Sequence, residues 1–312
     1  LITLEQIKTK SVNIKDIVTT SRKASRIGGQ QVYLRQGEKF SLEDLLKAVA
    51  ISSANDAAYA VAEHIAGDSD IFVEMMNTRA KQLGMTDTSY VNVHGLPPGR
   101  RLPPNMTSAR DMAIIARELL KYPITKRWGK TKHTPFRNGK FTLTNTNRLV
   151  GKFRGLDGLK TGSYRKAGYS IVATAKRGDL RLIAVVMSSS HPRRRFKEGR
   201  RLLAWGFANY SWYKGKEPGS ERAFSVKVKR GQKNKIYLKS TQKFRKLVKR
   251  GQARLISVRK EIPTSIPAPI HEGQKVGRLI YELQGKKMGE VQLAATESVD
   301  RLSFFQTFIR LQ

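Results

Sequence analysis

An α+β fold in two parts is what the sequence predicts: a helical region, an antiparallel hairpin with a helix over it, and then a smaller all-β domain. Three observations lead there. Apolar residues recur at helical spacing through most of the first 120 positions. Two β-prone runs, 168–176 and 180–188, flank the turn Arg177-Gly178-Asp179. Beyond the polar stretch 214–220 no helical period returns until Ser298, and short β-branched runs alternate with Gly, Pro and Lys-rich turns.

The elements follow in order. Leu1, Leu4 and Ile7, with Ile2 beside them, keep helical spacing from the first residue with no N-cap ahead of them. Residues 1–10 therefore read as the end of a helix, and the chain as truncated at its N-terminus. Ile14–Thr19 and Gln31–Leu34 read as short extended pieces around the turn Gly28-Gly29. Ser41, with Asp44 at the third helical position, reads as the cap of a helix burying Leu42, Leu45, Leu46 and Val49. A second helix is expected from Asp56 to Ala66, ending at Gly67, and a third with Phe72, Met75, Met76, Ala80 and Leu83 inward. Pro97, Pro98, Pro103 and Pro104 mark a loop, and Thr107-Ser108 caps a helix with Met112, Ile115, Leu119 and Leu120 on its buried side. Lys140–Thr144 is extended. The hairpin strands have apolar residues at consecutive positions, as in Ile183-Ala184-Val185-Val186, the mark of a sheet covered on both faces. Phe196, Leu203, Phe207 and Tyr210 give the helix after it one apolar face. The domain division expected is 1–213, 214–296 and an amphipathic segment 297–312, with strands near 224–228, 236–239, 254–259, 277–283 and 291–294.

The chain's 312 residues are 39% hydrophobic, enough for a real core. Lys and Arg number 60 against 24 Asp and Glu, a net charge of +36, and residues 190–260 alone hold 23 against 3. Such an excess attracts polyanions in general: nucleic acid, anionic lipid or acidic wall polymer. With no cysteine there are no disulfides, thiolate nucleophiles or Cys-ligated metals. His64 and His133 lack ligand-like spacing, so neither metal nor cofactor is expected. His94, in a Gly-Leu-Pro-Pro turn, reads as a structural hydrogen-bonding residue. No run approaches the roughly 20 apolar residues of a membrane span.

Two short motifs bear on chemistry. Ser53-Ala54-Asn55 stands between two helices, where by itself it is a capping pattern. Lys160-Thr161-Gly162 stands at the start of the hairpin region, and in so basic a chain it is unremarkable alone. Together they are two of the three parts of an acyl-serine site, whose third is Ser-x-x-Lys. A hydroxyl nucleophile needs an amine to take its proton, and a second hydroxyl and an amide to relay protons and hold the substrate. A Lys-Thr-Gly strand offers a cation and a hydroxyl to a carboxylate, and its glycine leaves room for a peptide.

The blocks around these motifs resemble the D-alanyl-D-alanine carboxypeptidases, the low-molecular-mass penicillin-binding proteins. They are Gly37-Glu38-Lys39, Ser52-Ser53-Ala54-Asn55-Asp56-Ala57-Ala58, Ala62-Glu63-His64-Ile65-Ala66-Gly67, Asn92-Val93-His94-Gly95-Leu96-Pro97, Asp157-Gly158-Leu159-Lys160-Thr161-Gly162 and Ala167-Gly168-Tyr169, in the family's order. The resemblance implies a penicillin-binding, β-lactamase-like transpeptidase domain followed by a small all-β domain. It also implies a serine peptidase that removes the terminal D-Ala of peptidoglycan stem peptides and is acylated by β-lactams, outside the cytoplasm and peripheral to the membrane. Its implied catalytic residues are Ser53, Asn55 and Lys160, with Lys160, Thr161 and Gly162 binding substrate.

Departures from the family pattern set further expectations. No Ser-x-x-Lys precedes Ser53, and the pairs Ser163/Lys166, Ser211/Lys214, Ser240/Lys243 and Ser257/Lys260 all follow it. The nucleophile is expected upstream of Leu1 and this chain by itself is expected to be inert. A pseudoenzyme lacking the serine altogether is one alternative. Another is a non-enzymatic polyanion binder, resting on the basic stretch with Tyr237 and Phe244 within it, although nucleic acid is not the expected counterion. Ser163 stands where many relatives have His, and Thr146 in a stretch where some have Arg. The terminal segment, with Phe304, Phe305, Phe308 and Ile309 on one side, suggests an amphipathic helix in an anionic membrane interface.

Overall fold

The computed structural model describes residues 1–99, 103–215 and 224–303. The chain forms two compact units, Leu1–Phe207 and Ala208–Gln312.

The first unit begins with α1 (Ile2–Lys8), β1 (Ile17–Thr19) and β2 (Lys39–Ser41), the two strands pairing antiparallel. α2 (Leu42–Lys47) starts where the sequence places its cap: the Asp44 N–H donates to Ser41 Oγ at 3.1 Å. It runs into a π-helical turn, Ala48–Ser52, and α3 (Asn55–Ala66) follows after a two-residue break, closing on Gly67 at φ +77°. α4 (Ser69–Gln82) and α5 (Ala109–Leu119) complete the predicted helices, α5 capped by Ser108. Between α3 and the π turn lies the core of this part: Leu42, Leu45, Ala48, Ile51, Ala57 and Ala60 are all fully buried.

Two readings are corrected here. Gln31–Leu34, read as a short extended piece, is not a strand of any sheet; Val32 and Leu34 are buried, and their N–H groups go to the Asp56 carboxylate instead of a strand partner. Tyr210 belongs to a strand, not to the face of the helix before it. One helix is absent from the sequence reading: α6 (Pro123–Lys130), a short element with proline at its start, where the missing N–H costs nothing.

The hairpin region is a three-stranded antiparallel sheet of β5 (Leu156–Tyr164), β6 (Gly168–Arg177) and β7 (Leu180–Ser189), in that order. A two-stranded piece, β3 (His133–Phe136) with β4 (Phe141–Thr144), precedes it, and α7 (Pro192–Asn209) follows. Ile171, Ala173 and Ala175 point β6 into the interior, and Leu203 and Phe207 are buried on α7. β5 is held close to α6: a methyl on Gly129 would lie 2.4 Å from the Asp157 carbonyl, so only glycine fits there.

The second unit is β-rich. β8 (Tyr210–Lys214) pairs with β11 (Arg245–Lys249), and a six-stranded sheet runs β12-β14-β15-β10-β9-β13. Its strands are β9 (Phe224–Lys229), β10 (Lys235–Ser240), β12 (Ile256–Glu261), β13 (Ser265–Pro267), β14 (Lys275–Leu283) and β15 (Lys286–Ala295). Alternation along β9 buries Phe224, Val226 and Val228 against Ile236, Leu238, Leu279 and Leu293. Phe304, Phe305, Phe308 and Ile309, the apolar side expected of the terminal segment, lie outside the described residues.

Candidate active site

The π turn ends at Ser53, whose backbone is left-handed (φ +62°, ψ +37°). A serine there is held at a point of backbone strain, and such strain persists only where its surroundings over-determine it. Here they do. The Thr144 N–H donates to Ser52 Oγ at 3.1 Å, and the Thr146 N–H donates to the Ile51 carbonyl at 3.1 Å. The turn is thereby tied to the end of β4.

Asn55 opens α3 and is almost fully buried. Its backbone N–H donates to the Gln30 carbonyl at 2.7 Å and its Nδ2 to the Gly28 carbonyl at 2.9 Å. Segment 28–34 is fastened in turn by Asp56, a fully buried carboxylate that accepts the N–H groups of Val32, Leu34 and Ala57. Gly29, at φ +81°, lies so close that an added Cβ would meet Asn55 Nδ2 at 2.6 Å. Segment, carboxylate and helix N-terminus together fix the asparagine.

From the other side β5 brings Lys160, Thr161 and Gly162. Lys160 Nζ donates to Ser53 Oγ at 2.6 Å and to the Thr161 carbonyl at 2.7 Å, and Thr161 Oγ1 donates to Thr146 Oγ1 at 2.8 Å. The turn Asn145-Thr146-Asn147 is latched behind this strand, with Asn145 Nδ2 on the Thr131 carbonyl and Asn147 Nδ2 on the Gly158 carbonyl. Ser53, Asn55, Lys160, Thr161 and Gly162 thus all line one cavity of about 630 Å³. The sequence-predicted residues converge, although Ser53 and Lys160 are 107 positions apart.

The electrostatics are one-sided. Burial, followed by the charge of Arg195, pulls the Lys160 ammonium down from 10.5 to about 8. Arg195, on α7, donates from Nη1 to the Gly162 carbonyl at 3.1 Å and lies near the rings of Tyr169 and Phe196, while its Nε is buried without a partner. No Asp or Glu lines the cavity. His94 also lines it; its Nδ1 accepts the Leu96 N–H, which fixes the proton of the neutral ring on Nε2, and burial lowers its pKa. Sequence reasoning passed over Arg195, Asp56 and Gly29. Arg195 sits in a basic run that masks it. Asp56 and Gly29 act through contacts 22 or more residues away, which no local pattern shows.

Comparison with known proteins decides the family. The profile of D-alanyl-D-alanine carboxypeptidase matches residues 1–191, and that of the penicillin-binding protein 5 C-terminal domain matches residues 214–301. This chain belongs to the D-alanyl-D-alanine carboxypeptidase family. It is 36% identical to D-alanyl-D-alanine carboxypeptidase DacF of Bacillus subtilis over 315 residues, covering 99% of this chain and 79% of that protein. Penicillin-binding protein 5 of Haemophilus influenzae superposes with a TM-score of 0.74 at 31% identity, over 96% of this chain and 87% of that one. Penicillin-binding protein D2 of Listeria monocytogenes, solved in an ampicillin-bound form, aligns with a TM-score of 0.59 at 29% identity, over 66% of this chain and 82% of its own. The penicillin-binding-protein fold implied by the sequence motifs is the fold observed, with its all-β domain at the C-terminal end. Among the described residues no cluster of three or more His, Asp or Glu is arranged to hold a metal ion, and no helix is long and apolar enough to cross a membrane.

Proposed function

We propose that this site removes the terminal D-Ala of peptidoglycan stem peptides through an acyl-serine intermediate, and that β-lactams acylate the same serine. The observation that carries the reading is the 2.6 Å contact between Lys160 Nζ and Ser53 Oγ, which joins the two motifs in a cavity free of carboxylates. Below a pH of about 8 Lys160 is mainly an ammonium. With the Thr161 hydroxyl beside it, it takes the substrate's terminal carboxylate in a charge-assisted contact. Ser53, in contact with that ammonium, passes a proton to the departing D-Ala amine. Asn55 holds the peptide amide and orients the amine that activates the nucleophile. Water then releases the acyl group.

The 312 residues contain no Ser-x-x-Lys ahead of Ser53. The net charge and the apolar side of the terminal segment support action outside the cytoplasm at an anionic membrane surface. The test is covalent labelling of the full-length protein by a fluorescent penicillin, with D-Ala release from an acyl-D-Ala-D-Ala peptide measured in parallel. Labelling and release together are expected. A full-length protein that takes no β-lactam and releases no D-Ala is a pseudoenzyme, and the proposal fails.

A further inference from the structure

The cavity does not stop at Gly162. Past Ser163 and Tyr164, which line both, it meets a second concavity of about 540 Å³ at the tip of the β5–β6 hairpin. Its polar lining is Ser163, Arg165, Lys166 and the run Ser188-Ser189-Ser190, with the rings of Tyr164 and Tyr169 beside them and no Asp or Glu. Arg165 and Lys166 are exposed and form no ion pair among the described residues. Ser189 Oγ donates to the His191 carbonyl at 3.3 Å, which leaves the hydroxyls of Ser163, Ser188 and Ser190 beside two cations without an ion-pair partner; together they make a place for an oxyanion, the hydroxyls donating and the cations supplying charge without a protein counterion to displace.

The strand geometry says which part of a substrate arrives there. β5 is an edge strand, paired only with β6 among the described residues, so an extended peptide in the cavity can run along its free side. Peptide and strand both advance about 3.3 Å per residue. With the terminal carboxylate at Lys160 and Thr161, the residue two places back lies beside Ser163. Arg165 and Lys166 follow Ser163 by two and three residues, at the end of β5, within reach of a long side chain on that residue.

We propose that the hairpin-tip concavity is a specificity subsite for a carboxylate at the end of the side chain that precedes the D-Ala-D-Ala pair. Stem peptides whose third residue is a diamino acid with a free distal carboxylate are then the preferred class. Those with the carboxylate amidated, or with a lysine-type side chain, are disfavoured. The inference rests on the carboxypeptidase reading for the placement of the terminal carboxylate.

The experiment is equilibrium binding of three acyl-D-Ala-D-Ala peptides to the 312-residue chain by calorimetry. The peptides are identical except that the third side chain ends in a carboxylate, its amide or an amine. A preference of about five-fold or more for the carboxylate over the amide is expected, the size of a partly exposed charge pair in a geometry better than an average surface pair. In R165Q/K166Q the ratio falls to near one, and in R165E/K166E the order inverts toward the amine peptide. Both sites are exposed, and circular dichroism checks that each variant is folded. Equal binding of the three peptides, or a ratio that survives R165Q/K166Q, overturns the subsite. Failure of the carboxypeptidase reading is seen separately: the full-length protein then releases no D-Ala from any of the three, whatever their binding order.

Discussion

Asp56 is where the site and the stability of the first unit meet, and its removal is the sharpest test of how Asn55 is held. The carboxylate has no exposure and accepts three backbone N–H groups, from Val32, Leu34 and Ala57, at 2.9 to 3.2 Å. Two of those donors belong to the segment that has no strand partner, so in D56A they have nowhere else to go. Leaving a buried donor unpaired costs about 1–3 kcal/mol, and breaking a buried charged network about 3–5 kcal/mol. D56A is therefore expected to lose about 3–5 kcal/mol. D56N keeps the shape and one acceptor oxygen and should lose about 1–3 kcal/mol. Against a typical total of about 5–15 kcal/mol the first figure is a large fraction. Denaturant unfolding gives the totals, and native-state hydrogen exchange at the Val32 and Leu34 amides reads the anchor directly. If those amides remain protected in D56A, or the loss stays under about 1 kcal/mol, the carboxylate is not what ties segment 28–34 to α3.

Two further outcomes follow from the same geometry. G29A places a Cβ 2.6 Å from Asn55 Nδ2 on a backbone at φ +81°, so it should cost about 1–2 kcal/mol and weaken acyl-D-Ala-D-Ala binding by at least about ten-fold; calorimetry with a Gly28→Ala control, where a Cβ meets nothing, checks it. Lys160 titrates near 8 when folded and near 10.5 otherwise, so between those values the unfolded chain binds more protons and stability rises with pH, the burial penalty being present in full below about 8. Over the same range the affinity for a carboxylate ligand falls as the ammonium is lost, and K160M should lack both slopes when unfolding and binding are measured from pH 7 to 10.

What the sequence discloses depends on the range of the signal. Ser41, Ser108 and Gly67 lie within four residues of the groups they cap, and each helix end is where its cap predicts. The β6–β7 hairpin is equally plain, because the turn and both strands lie within one short window. Segment 31–34 misleads for the opposite reason. Its apolar alternation is that of a strand, and Val32 and Leu34 are buried as a strand would bury them, but its partner is a side chain 22 to 24 residues away. The chemical motifs were legible as residue types. That Ser53 sits on a left-handed backbone and touches Lys160 was not, since both facts depend on the π turn and on β5 meeting across 107 positions.

The charge pattern separates two roles that composition merges. A net charge of +36 is a property of the whole surface, and beyond roughly 8–10 Å ordinary salt screens it, so it concentrates anions near the protein without choosing among them. Within the cavity the arrangement is different. Lys160 is satisfied by neutral oxygens, those of Ser53 and Thr161, and Arg195 by the carbonyls of Gly162 and Ser170, with its Nε unpaired. Two cations are held near one another with hydrogen-bond acceptors but no counterion, at a cost shown by the lowered pKa of both groups. In the carboxypeptidase reading proposed above, a substrate carboxylate relieves that cost on arrival, whereas a neutral peptide end leaves it in place. On that proposal, selectivity for a carboxylate-terminated ligand comes from what the cavity withholds from its own lysine and arginine, and adding an acid to its lining is expected to weaken binding even though the global charge hardly changes.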